Sequence, residues 1–135
     1  MHIHNGWTQS AFSYTYRRMR DHTKLKVFGA ADDLALAIYR ETMGWPQSEL
    51  FGLTSQVRRA AVSVPSNIVE GSARHSEGDY LRYLDIAYGS SKELEYQVSL
   101  GGRLGFLEEE CFARLLNHCG KVSRMLNGLI RSLRR

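Results

Sequence analysis

The sequence predicts an all-α fold, an antiparallel up-and-down four-helix bundle. Apolar residues recur at i, i+3, i+4 and i+7 along most of the 135 residues. Only two prolines occur, Pro46 and Pro65, so little interrupts that period. The links between periodic segments are mostly short, as antiparallel neighbours require. A hydrophobic share of 43% with 24% charged residues is ordinary for a globular protein, and the chain is long enough for one domain with its own core.

Residues 1–23 stand apart. They mix Trp7, Phe12, Tyr14 and Tyr16 with arginines and show no clean period, so they are expected to form an N-terminal arm ahead of a bundle domain over 24–135. The first helix is expected from about Lys24 to Met43, with Val27, Phe28, Ala31, Leu34, Ala35 and Ile38 on its apolar face. "GWP" at 44–46 ends it, with Gly44 suited to the position after the last turn.

The second helix is expected from about Thr54 to Glu70, capped by Thr54 or Ser55, with Val57, Ala60, Ala61, Val64 and Ile68 inward. Arg59, Ser63, Asn67 and Glu70 share one stripe beside that face and are expected to form a structural or interface contact. Pro65 falls inside. It removes its own N–H and crowds the carbonyl of Ala61, so the helix is expected to kink there, the alternative being two short helices broken near Val64. Gly71 is expected to end it.

Ser76 and Asp79 then form a capping box for a third helix, from about Glu77 to Leu104. Tyr80, Leu84, Ala87, Ser91, Leu94 and Val98 keep a heptad-like spacing, and Ala87, Gly89, Ser90 and Ser91 make a small-residue patch expected to admit a neighbouring backbone. A turn at "GGRLGFL" leads to a fourth helix from about Glu108. It opens on "EEE" and closes on "RSLRR", both favourable to the helix dipole.

Charge is unevenly placed. Residues 1–26 hold five basic residues against Asp21, residues 27–110 hold seven basic against thirteen acidic, and residues 111–135 hold six basic residues and no acid. A basic arm and a basic last helix together suggest a polyanion footprint. Its candidate residues are Arg17, Arg18 and Arg20 on the arm, Arg58 beside the polar stripe, and Lys121, Arg124, Arg131, Arg134 and Arg135 on the fourth helix.

The sequence carries no P-loop, HExxH, GxSxG or paired CxxC motif, and its five histidines lack ligand spacing, so catalysis, a metal site and a cofactor are not expected. Cys111 and Cys119 lie eight residues apart on one helix, about 12 Å along its axis, beyond disulfide reach. No apolar run approaches the roughly 20 residues of a membrane span, and the N-terminus has no signal-peptide pattern, so a cytoplasmic protein without membrane attachment is expected.

The stretches "LTSQVRRAAVSVPSNIVEGSAR" (53–74) and "YLRYLDIAYGSSKELEYQV" (80–98) resemble the bacterial rRNA intervening-sequence protein family. Leu53, Thr54, Gln56, Val57, Arg59, Ala60, Ser63, Val64, Asn67, Ile68, Glu70 and Gly71 match its first motif. Ala87, Gly89, Ser90, Glu93 and Leu94 match its second, and "KVFGAADDLALAIYRET" also fits. The resemblance covers about residues 24–135. It implies a four-helix bundle, a homo-oligomer expected to be a pentamer, and no known catalysis. Related bundle proteins are accessory factors of diversity-generating retroelements; unlike those strongly basic proteins, this chain is neutral over residues 27–135. Two functions are therefore expected from different classes: an oligomeric adaptor for RNA or DNA, or a scaffold that docks a protein partner.

Overall fold

The computed structural model describes residues 20–135. Four helices carry them: α1 (Lys26–Thr42), α2 (Leu53–Ser72), α3 (Glu77–Arg103) and α4 (Glu109–Leu133). Two short 3-10 turns, His22–Lys24 and Gln47–Glu49, precede α1 and α2, and no strand occurs among the described residues. Each helix packs against its neighbours in the chain, and α4 closes back onto α1, which makes the up-and-down bundle that the sequence predicts.

The core is the inward face of that square. Leu34 and Ile38, Val57, Val64 and Ile68, Leu84, Leu94 and Val98, and Cys119, Val122 and Leu126 are all buried. They are the residues that the 3.6-residue period singles out, because that period places them on one side of each helix. Tyr80 is the largest side chain fully enclosed.

α2 runs unbroken through Pro65 as a single helix. Pro65 is itself buried, so its ring adds apolar contact where the ladder loses a donor. The capping box at the start of α3 forms as expected, with Ser76 Oγ accepting from the Asp79 N–H at 3.1 Å.

Three local expectations are corrected. Neither Thr54 nor Ser55 caps α2: Glu49 Oε1 accepts the Leu53 N–H at 3.0 Å from the preceding turn, and Thr54 is buried. Gly44 falls directly after the Met43 C-cap of α1, where it is expected, and Gly105 is the glycine with positive φ (84°) among the described residues. Gly71 does not end α2, which continues to Ser72. A Cβ on it would lie 2.9 Å from Tyr83 Cβ and 3.2 Å from Tyr80 Cδ1, so its lack of a side chain lets α2 and α3 approach. Gly89 faces open space, so the small-residue patch admits no backbone there. The close approaches lie instead at Gly71 and, at the opposite pole, where Gly101 meets the Trp45 ring and Gly102 meets Phe112.

Candidate nucleic-acid interface

α4 positions the clearest charged face. Its inward side buries Leu115, Cys119, Val122, Leu126 and Ile130, which turns Lys121, Arg124, Arg131 and Arg135 outward, all exposed. The spacing of 3, 7 and 4 residues keeps them on one side of the helix, with Gly128 filling the gap in the row. Lys121 to Arg131 spans about 15 Å of axial rise. No carboxylate within 4.0 Å of any of these four is found among the described residues, whereas Arg134 pairs with Asp85 of α3 at 2.6 Å and Arg114 with Glu41 of α1 at 3.7 Å. None of the four is thus ion-paired among the described residues, although Glu95 of α3 lines the same small pocket beside Gly120 as Arg124; exposed cations of this kind suit phosphate.

The remaining candidates go elsewhere. Arg17 and Arg18 lie outside the described residues. Arg20 is docked on the bundle: its guanidinium lies 4.0 Å from the Tyr80 ring centroid and pairs with Glu77, and its N–H donates to the Ser72 carbonyl at 3.0 Å. Residues 20–24 of the expected arm region therefore pack along the bundle's lower pole. Arg58 is far from α4. Its Nε donates to Thr42 Oγ1 at 2.9 Å and its guanidinium sits 4.9 Å over the Tyr39 ring, which joins α2 to α1.

The polar stripe of α2 divides. Ser63 Oγ bonds Ser90 Oγ of α3 at 2.7 Å, and Asn67 Nδ2 donates to the Ser63 carbonyl at 2.8 Å and to its hydroxyl at 3.0 Å. Ser63 thus belongs to the α2–α3 contact, and Asn67 supports it from one turn on within α2. Glu70 pairs with Arg74, one turn on, at 2.8 Å, and Arg59 is exposed with no ion pair among the described residues.

Sequence reasoning missed one surface. A groove of about 700 Å³ runs between the outer sides of α1 and α2, lined by Tyr39, Leu50, Phe51, Val62, Arg58 and Arg59. Leu36 and Met43 are exposed on the same side of the first helix as Tyr39, and Phe51 is 94% exposed. The signal was in the sequence: Leu36, Tyr39 and Met43 repeat at i, i+3 and i+7 on the side of the first helix away from its core face.

Both thiols are buried. Burial pushes the Cys119 thiol up to about 12 and, aided by Glu41, the Cys111 thiol up to about 11, so neither is a ready nucleophile. His118 Nε2 lies 3.0 Å from the Ala30 carbonyl and ties α4 to α1. No cluster of three or more metal-ligating side chains occurs among the described residues, and no described helix is long and apolar enough to cross a membrane.

Comparison with known proteins adds three findings. A family model described as 23S rRNA-intervening sequence protein matches residues 23–128. A solved structure of a protein of unknown function from the S23 ribosomal protein family of Bacteroides thetaiotaomicron is similar in fold, with a TM-score of 0.71 at 23% identity, over 78% of this chain and 95% of that one. No curated protein matches.

Proposed function

The chain belongs to the 23S rRNA-intervening sequence protein family, and we propose that it acts there by binding rather than catalysis, as a homo-oligomeric cytoplasmic adaptor that holds RNA through phosphate contacts along α4. The outward row of Lys121, Arg124, Arg131 and Arg135, none of them in an ion pair among the described residues, carries this reading. Charged side chains on a helix surface ordinarily alternate in sign or pair; α4 carries no acid beyond Glu110. Oligomerisation, expected with five copies, would align several such rows and multiply a weak contact. Two buried, unpaired thiols suit a reducing compartment, and their raised pKa argues against thiol catalysis.

Fluorescence anisotropy of a structured RNA tests it, with the full-length chain and with a version starting at Lys24, at about 50 and 200 mM salt, since phosphate contacts release counterions and weaken steeply over that range. Binding that is salt-sensitive and survives arm removal is the expected result. Binding that disappears with the arm, or never appears, rejects α4 as the phosphate-reading face.

A second reading, a scaffold for protein partners, is favoured by the groove between α1 and α2, whose aliphatic walls suit protein better than phosphate.

A further inference from the structure

We propose that the α1–α2 groove of one molecule receives the outer face of α3 from a second copy, so that this protein self-associates groove to face. The inference rests on the homo-oligomer reading above and adds the two surfaces that meet and the geometry of their union.

The groove is too apolar to be an ordinary solvent face. Of its lining, Phe51 is 94% exposed, Tyr39 44%, Val62 41% and Leu50 37%, and Met43 (78%) and Leu36 (47%) stand on the same side of the first helix as Tyr39. With a large side chain presenting roughly 150–250 Å² when fully open, these six leave on the order of 600 Å² of apolar surface to water, at the top of the range for a monomer's largest patch. The two arginines at its rim bring it close to the roughly 800 Å² per partner of a standard interface. Four of the six side chains are aliphatic and offer no π-face to a nucleobase, so the groove's chemistry fits protein.

The complementary surface is on the same chain. Ile86, Gly89, Glu93 and Tyr96 fall at i, i+3, i+7 and i+10 along α3, and all four are exposed. Ile86 and Tyr96 are large apolar groups left in solvent. Gly89 between them has open space above it, a shallow seat for an incoming aromatic ring such as Phe51. Glu93 makes no ion pair among the described residues; its carboxylate only accepts from Gln97 Nε2 at 3.4 Å. Arg58 and Arg59 also lack a carboxylate there. Basic rim and acidic face, each with apolar flanks, are therefore matched in charge and in character.

Groove and face are different patches, so the contact is heterologous: every copy offers one of each, and the union closes into a ring or runs on as a chain. It leaves the basic row of α4 outside the contact.

The test is sedimentation velocity on the full chain and on variants that disable one surface each. Phe51→Asp disables the groove and Gly89→Asp the face. Met43→Asp and Tyr96→Asp are a second pair should either fail to keep native helix content by circular dichroism. The native chain is expected at a multiple of 15.4 kDa, each single variant at the monomer mass, and an equimolar mixture of a groove variant with a face variant at twice the monomer mass and no higher, because only one intact groove–face pair then exists. A native multimer indifferent to all four variants overturns the proposal while sparing the homo-oligomer reading; a monomeric native chain overturns both. Single variants that dissociate yet do not combine on mixing also overturn it, as a self-complementary interface would behave that way. Groove variants that keep native mass but lose RNA affinity overturn it by assigning the groove to RNA.

Discussion

Two rows of polar side chains run along two helices of this bundle, and the fold treats them oppositely. On α2, Ser63 bonds Ser90 of α3 and Asn67 donates back to Ser63, at 2.7–3.0 Å. On α4, Lys121, Arg124, Arg131 and Arg135 are exposed and form no ion pair among the described residues. Both rows are equally regular in sequence. A polar group already satisfied within the chain serves the fold, and its loss should be read in stability. A charged group without a partner contributes little to stability, and its loss should be read in binding.

The sharpest way to break the first row is to force its two helices apart. Gly71→Leu places a branched side chain where even a Cβ would lie 2.9 Å from Tyr83, and should cost about 3 kcal/mol, as overpacking with a backbone shift does. Thermal unfolding by circular dichroism reads it; an unchanged midpoint would show that α2 and α3 do not depend on that approach. The second row breaks without unfolding. Lys121→Glu with Arg124→Glu should lower RNA affinity about 100-fold at low salt and flatten the salt slope by roughly two, at roughly tenfold per lost phosphate contact. The melting temperature should barely move. Equal affinity for both proteins would remove α4 from the function.

The inward side of α4 supplies a third contrast, through pH. Cys119 is pushed up to about 12 by burial, above its unfolded value of about 8.5. Stability from the protonated thiol is therefore fully present below about pH 8.5 and declines as pH rises from there towards the folded value, by at most about 1.4 kcal/mol per pH unit. Denaturant unfolding between pH 8.5 and 10.5 should show a steeper decline for the native chain than for Cys119→Ala. Parallel curves would mean the thiol does not titrate differently on unfolding. The smallest effect is Asn67→Ala, which removes the side-chain donor at the α2–α3 contact and should cost about 1 kcal/mol, more than the few tenths of an exposed substitution.

Much of the fold was legible because helices are local. The period placed Leu34, Ile38, Val64, Leu94 and Leu126 inward, the spacing of Ser76 and Asp79 gave the capping box, and the absence of acid after Glu110 gave the basic face of α4. What escaped depends on turn geometry and on contacts between helices, which a 3.6-residue period does not encode. Glu49 caps α2 because a 3-10 turn carries its carboxylate to Leu53. Gly71 read as a helix stop because its reason for being glycine sits on Tyr83, twelve residues away across a helix seam. Arg20 read as a free arm residue, yet it stacks on Tyr80. Arg58 and Arg59 are neighbours in sequence, but only the docking of α1 onto α2 turns them towards a shared apolar groove.

An even number of antiparallel helices returns the chain to the pole where it started. Arg20 rests on Glu77 and Tyr80 at the start of α3, and Arg134 reaches Asp85 two turns further along the same helix. The beginning of α1 and the close of α4 are thus adjacent corners of one end, on helices whose axes pack about 10 Å apart. A short linker from the close of α4 to the start of α1 would therefore join the chain to itself, and new ends opened in a connecting turn would leave the helix packing unchanged, because the order in which the four helices are read is separable from the way they pack.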